Sequence, residues 1–157
     1  WKAREYDFTT RFIQLAGEVN VALPYYVLER NQDTLNERRK CLNGSNILVL
    51  GVAYKKDIDD DRESPSYEVM KLLREKGAVV HYNDPHIPRL KPGRKHAFQL
   101  ESTPLTEETL ARMDAVMILT DHGAYDYQWI VNHSSLVMDT RNATKSVREN
   151  RDRIVKC

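Results

Sequence analysis

Residues 46–65 read NILVLGVAYKKDIDDDRESP: an apolar strand, a charged loop and the start of a helix. Ile47, Leu48, Val49, Leu50 and Val52 form a nearly unbroken apolar run, the pattern of a parallel strand covered on both faces. Ser64 suits an N-cap and Pro65 the first helical turn. Val69, Leu72 and Leu73 supply an inward stripe before Gly77 stops the helix. That succession predicts an α/β sheet and places Lys55, Lys56 and Arg62 at its carboxyl end, where open sheets of this class bind ligands.

Downstream the alternation continues. Strands are expected at 46–53, 78–83, 97–100, 115–120 and 136–139, with helices at 65–76, 106–112 and around 125–131. The fold class is therefore α/β: a doubly wound, Rossmann-like parallel sheet of about five strands, with helices on both faces. Residues 84–95, with Pro85, Pro88 and Pro92, read as a surface loop without a regular helix. Upstream, from about Phe8 to Lys40, Phe12, Leu15, Val19, Ala22, Leu23 and Tyr26 recur at helical spacing. One long helix is expected there, bent or broken near Pro24. Its stripe needs either the following domain or a second copy of itself as cover, so a subunit interface is expected. The turn at Asn43-Gly44 then delivers the chain into the sheet. The chain thus divides into residues 1–40, a helical segment, and residues 41–157, an α/β domain.

Composition narrows the function. Of 157 residues, 41% are apolar and 30% charged, as in a globular domain with an appendage, and the sequence offers no membrane span. Well-mixed charges, 24 basic against 23 acidic, give a net charge of +1 and no broad phosphate-tracking face, which argues against nucleic acid as a partner. Cys41 and Cys157 are too few for a disulfide framework or a zinc site, and a reducing cytoplasm is the simplest home. Neither cysteine has an evident base partner, so neither is assigned catalysis. The chain opens on Trp1, and a piece of a longer protein is expected.

Three loops share the carboxyl edge: residues 54–62, 121–123 and 140–145. The strand end leading into the first has Gly51 alone where a dinucleotide cradle needs Gly-x-Gly-x-x-Gly, so a diphosphate would be met by side chains such as Lys55 and Arg62. The bland alternative is that Lys55 and Lys56 are solvated charges. The acidic run Asp57, Asp59, Asp60 and Asp61 lacks the glycine and terminal glutamate of a calcium loop. A phosphoacceptor domain would place paired acids directly after the first strand, where Ala53, Tyr54 and two lysines stand instead. No metal is expected, and the acids are read as a solvated loop partnered by Lys56 or Arg62. In the third loop Arg141 faces across the edge toward Lys55, a pair suited to clamping phosphate or carboxylate oxygens; a salt bridge to Asp139 or a neighbouring acid is the alternative. His122, without a nucleophile nearby, is read as structural or orienting. Asp84 is read as a turn-forming Asp-Pro rather than a ribose-binding acid. No catalytic residue is assigned.

The segments GVAYKKDIDDDRESP, HYNDPHIP, ILTDHGAYD and MDTRNAT, in this order, resemble the C-terminal domain of the UDP-glucose/GDP-mannose dehydrogenase family. The leading WKAREYDFTTRFIQLAGEVN resembles the end of that family's central helical domain, so the resemblance covers essentially the whole chain. Within the family, the Tyr-Lys-Lys, TDH and DTRN motifs look most like UDP-N-acetylhexosamine 6-dehydrogenases, especially those acting on UDP-N-acetylglucosamine. The resemblance implies an NAD-dependent, two-step oxidation of a sugar C6 alcohol to a carboxylate, serving surface polysaccharide synthesis. It also implies roles by motif position: Tyr54, Lys55 and Arg141 as contacts to the UDP-sugar substrate, and Arg62 as a contact to NAD held mainly by a separate N-terminal domain. The helix before Pro24 would correspond to the one through which family members form homodimers. The cofactor fingerprint and the nucleophilic cysteine, expected upstream, are not in this sequence, so the fragment alone is expected to be inert. A stand-alone nucleotide-binding or regulatory module is the competing expectation.

Overall fold

The computed structural model describes residues 11–93 and 96–157. Its strands are β1 (Asn46–Leu50), β2 (Val79–Asn83), β3 (Arg89–Leu90), β4 (Leu100–Glu101), β5 (Ala115–Ile118), β6 (Val137–Asp139) and β7 (Ile154–Lys156). Its α-helices are α1 (Arg11–Glu37), α2 (Ser66–Glu75), α3 (Glu107–Arg112) and α4 (Tyr127–His133). β2, β1, β5, β6 and β7, in that spatial order, make one parallel sheet. The chain reverses its direction of winding between β1 and β5, so their carboxyl ends flank the topological switch point.

Side-chain alternation along the strands divides the core into two layers. Ile47 and Val49 of β1 and Met117 of β5 pack with Val69, Met70 and Leu73 of α2 and with Val27, Leu28 and Leu35 of α1. Leu48, Leu50, Val116 and Ile118 face the other way, onto Leu110 of α3 and Ile130 and Val131 of α4. The doubly wound α/β expectation therefore holds. Removing any of these fully buried side chains from water contributes about 1.5–3 kcal/mol, which is why the strands read as continuous apolar runs.

The helix entries follow the sequence. Ser64 Oγ accepts the Ser66 N–H at 3.3 Å at the start of α2. Thr106 Oγ1 accepts the Thr109 N–H at 3.1 Å and starts α3. The last helix begins two residues later than its apolar pattern suggests, because Asp126 caps it by accepting the Trp129 N–H at 3.0 Å.

Two expectations need correction and a third is narrowed. The strand expected at 97–100 is not part of the parallel sheet. Leu100–Glu101 instead pairs antiparallel with Arg89–Leu90, so the proline-rich stretch carries half of a small hairpin-like sheet and buries Ile87 and Leu90. The fifth parallel strand is β7, whose three residues lie among Arg151, Asp152, Arg153 and Lys156 and show no apolar run. α1 is one long helix, as expected, and of the bend or break foreseen near Pro24 the break is absent: the helix is continuous through that residue. Proline removes one N–H, and the carbonyl left without that donor, on Asn20, sits on an exposed stretch of helix. The beginning of this helix expected at Phe8, and the end of the loop at Arg94 and Lys95, lie outside the described residues.

Only the second half of α1 is covered by the α/β domain. Val27, Leu28, Asn31, Thr34 and Leu35 are buried, whereas Phe12 is 83%, Ile13 69% and Val21 71% exposed, with Leu15, Val19, Leu23 and Tyr26 also exposed.

Candidate functional site

Where β1 ends, Gly51 adopts φ +79°, and a Cβ there would collide with the Thr120 carbonyl of the neighbouring strand end. Glycine lets the chain leave the sheet across that strand and swing over the switch point. The loop that follows is held by side chains from elsewhere. Asp84, at the end of β2 and fully buried, accepts the Val52 and Ala53 N–H groups through Oδ2 at 2.7 and 3.0 Å. Its Oδ1 accepts those of His86 and Ile87 at 2.9 and 3.2 Å. The Asp-Pro turn expected from sequence is present, and the carboxylate is engaged by backbone donors rather than open to a ribose.

His122 follows β5 and is fully buried as well. Its Nδ1 accepts the Asp57 N–H at 2.9 Å, which leaves the proton on Nε2 to be donated to Asp84 Oδ2 at 3.1 Å. Thr120 Oγ1 donates to the Ala53 carbonyl at 2.7 Å, and the Gly123 N–H donates to Asp57 Oδ1 at 2.7 Å. That backbone donor is the main cause holding the Asp57 carboxyl below its ordinary range. The expectation of an orienting role for His122 matches this geometry.

The third loop is organised by Asp139, the last residue of β6. It accepts the N–H groups of Arg141 and Ala143 at 3.0 Å each and that of Thr144 at 2.8 Å, the Thr144 hydroxyl at 2.6 Å and Lys156 Nζ at 2.6 Å. Burial alone would push this carboxyl up, but the Lys156 and Thr144 hydrogen bonds outweigh it and hold the pKa down at about 2. Asn142, at φ +56°, takes the left-handed turn that this wrapping requires.

These two frames present the sequence-predicted residues. Tyr54 is half exposed, with Lys55 Nζ 5.8 Å from its ring centroid, while the Tyr54 N–H donates to the Asp60 carbonyl at 2.8 Å. Arg141 lies two strands away on the same edge, and its guanidinium Nε is 3.7 Å from Asp121 Oδ1 in the loop between. Its backbone, not its guanidinium, engages Asp139. With neighbouring strands spaced about 4.8 Å, the ends of β1 and β6 are about 10 Å apart. Arg62 grips Asp60 through Nε and Nη2, both at 2.9 Å, with its side chain 85% exposed. That pairing holds the Asp60 carboxyl down at about 2. Tyr67 donates its hydroxyl to Asp61 and stacks on His96 at 3.6 Å between centroids, tying the end of the acidic run to α2.

Among the described residues, Asp57, His86 and His122 come close enough together to suggest a metal site. The donor chemistry does not fit one, because both His122 nitrogens are already engaged, one accepting from a peptide N–H and the other donating to Asp84. The organising roles of Asp84 and Asp139 were not read from the sequence. The available signal is an aspartate at or directly after a strand end in both HYND and VMD.

A sequence model described as the UDP-glucose/GDP-mannose dehydrogenase family, UDP binding domain, matches residues 48–146. The chain is 33% identical over 125 residues to a UDP-N-acetyl-D-mannosamine dehydrogenase of Methanococcus maripaludis, covering 80% of this chain and 27% of that protein. It is 31% identical over 144 residues to an NDP-N-acetyl-D-galactosaminuronic acid dehydrogenase of Ralstonia solanacearum, covering 89% and 32% respectively. It superposes on the crystal structure of an NDP-N-acetyl-D-galactosaminuronic acid dehydrogenase of Methanosarcina mazei with a TM-score of 0.76 at 27% identity, over 95% of this chain and 31% of that one. The chain thus spans about a third or less of the length of these relatives. The switch-point edge, the ordered motifs upon it and a match running from β1 through the Asp139 loop lead to one assignment: the chain belongs to the UDP-glucose/GDP-mannose dehydrogenase family and contains its UDP-binding domain.

Proposed function

We propose that this chain is the substrate-holding part of an NAD-dependent nucleotide-sugar 6-dehydrogenase that oxidises a sugar C6 alcohol to a carboxylate, and that its ligand is a UDP-N-acetylhexosamine. The observation that carries the reading is the pairing of Tyr54 and Lys55 with Arg141 on opposite flanks of the switch point, each on a loop fixed from beneath by a buried aspartate. Lys55 and Arg141 would take the diphosphate oxygens, Arg141 through its planar fork, and the Tyr54 ring would pack on the base or sugar. The motifs favour N-acetylglucosamine, while the relatives are named for N-acetylmannosamine and N-acetylgalactosaminuronic acid; an N-acetylated hexose on a nucleoside diphosphate is common to these.

NAD, when bound, supplies the hydride acceptor. This chain has no glycine cradle for a dinucleotide, and Arg62 is the residue proposed to reach the cofactor; its exposed guanidinium would exchange Asp60 for a phosphate. Residues 1–40 would close a central helical domain, and the apolar, uncovered first half of α1 would meet its counterpart in a second copy, giving a homodimer. The role proposed is a cytoplasmic one, supplying precursors for surface polysaccharide; no described helix is long and apolar enough to cross a membrane.

Titration of the chain with UDP-N-acetylglucosamine, UDP-N-acetylmannosamine and UDP, followed by amide NMR, should move the resonances of Tyr54, Lys55 and Arg141. Arg141→Ala should weaken binding about tenfold, the worth of one charge-assisted hydrogen bond. If no uridine nucleotide produces a response, the substrate reading fails and a module without this ligand replaces it.

A further inference from the structure

The geometry points to Asp84 and His122 as positioning residues: one buried hydrogen-bonded pair sets the path of residues 52–57 and thereby the placement of Tyr54 and Lys55 against the nucleotide sugar. This inference rests on the substrate reading above for its ligand, while its structural part can be tested without one. Neither residue touches the ligand edge directly, since both side chains are fully enclosed. What they touch is backbone. Asp84 Oδ2 takes the two peptide N–H groups immediately before Tyr54, and His122 Nδ1 takes the one immediately after Lys56. The two clamps are themselves joined by the Nε2 to Oδ2 hydrogen bond at 3.1 Å. The segment that carries Tyr54 and Lys55 is therefore pinned at both ends by a single unit, while their side chains remain free to meet a ligand.

The chemistry of the pair suits this task. A carboxylate accepting four peptide N–H groups and one imidazole N–H has its charge well satisfied in a buried setting. An imidazole with one nitrogen accepting from Asp57 and the other donating to Asp84 has a single tautomer and one orientation. Asp57 sits at φ +57°, a backbone state that a non-glycine residue holds only when its surroundings fix it. The His122 and Gly123 contacts supply that fixing. Precise placement matters because a displacement on the order of 1 Å at a binding group can cost up to about 100-fold in function.

The test compares His122→Phe, which fills the space without either hydrogen bond, with His122→Gln, whose amide can both accept from Asp57 and donate to Asp84. In the unliganded chain, His122→Phe should speed amide hydrogen exchange of residues 52–57 by about tenfold or more, leave residues 141–144 unchanged, and be largely corrected in His122→Gln. With UDP-N-acetylglucosamine, His122→Phe should weaken binding about tenfold and lose the ligand shifts at Tyr54 and Lys55 while keeping those at Arg141. Asp84→Asn, which retains the shape of the side chain, gives the same pattern if the phenylalanine variant does not fold. Wild-type exchange at residues 52–57 in a folded His122→Phe or Asp84→Asn variant would overturn the inference. So would disrupted exchange spread equally over both loops. A wild-type chain that binds no uridine nucleotide would instead overturn the substrate reading, and the exchange data would still decide whether the pair positions the loop.

Discussion

The two flanks of the proposed ligand edge solve the same problem by different routes. On each, a buried aspartate at a strand end gathers backbone N–H groups and so shapes a loop that presents a cationic side chain. Asp139 gathers donors two, four and five residues ahead of it on its own loop and adds Lys156 from the adjacent strand. Asp84 reaches back 31 and 32 residues to the loop after β1, and its partner His122 lies 38 residues further on. The first arrangement is a local turn with an ammonium counter-charge. The second is a junction of three strand ends with a neutral imidazole. The difference teaches that equivalent placement of a site residue can come from local chain chemistry or from tertiary wiring.

Removing the local aspartate is the harshest way to break this comparison. Asp139→Ala strips the third loop of its acceptor and leaves four donors and a lysine without their partner; because Lys156 can turn to water, the expected loss is about 3 kcal/mol, read by urea unfolding. Amide exchange should rise at residues 141–144 and not at 52–57. Exchange rising in both loops would show that the flanks are not independent.

Acid sharpens the same contrast by a smaller amount. The Asp139 carboxyl is held at about 2 in the folded chain against an ordinary 3.8, so its contribution is fully present above about pH 4 and is lost as pH falls through 2. The shift corresponds to about 2 kcal/mol. The wild-type chain should lose that much more stability than Asp139→Asn between pH 4 and pH 2, and parallel acid profiles would remove the Lys156 pairing from the account.

The smallest effect is expected at Arg62. Its ion pair with Asp60 is as short as many buried ones, yet it lies in water at the surface. Arg62→Ala should change the unfolding free energy by no more than about 0.5 kcal/mol, which a urea melt would check. A loss well above that would mean that the first loop, like the third, depends on a charge pair.

The same contrast accounts for what could be read from the sequence. Residues 46–65 show their strand, loop and helix because apolar runs and capping residues act over a few positions. DTRNAT likewise announces a turn carrying an arginine, since Asp139 works on its near neighbours. β7 was not legible, because Ile154 and Val155 gain their place from pairing with β6 and not from a run of their own. Nor was the exposure of Phe12 and Val19, whose spacing fits a helix but does not say what covers it. His122 shows no local sign of the peptide group it holds, 65 residues earlier in the chain.

That separation also has an entropic side. Closing a segment of 65 residues costs about 2 kcal/mol more than closing one of five, by the logarithmic scaling of loop entropy. The turn after β6 can be ordered by its own few residues, but the Tyr54 loop exists only once β1, β2 and β5 lie side by side. Loosening of the sheet would be felt there early, so the surface proposed to hold the nucleotide doubles as a gauge of whether the whole domain is intact.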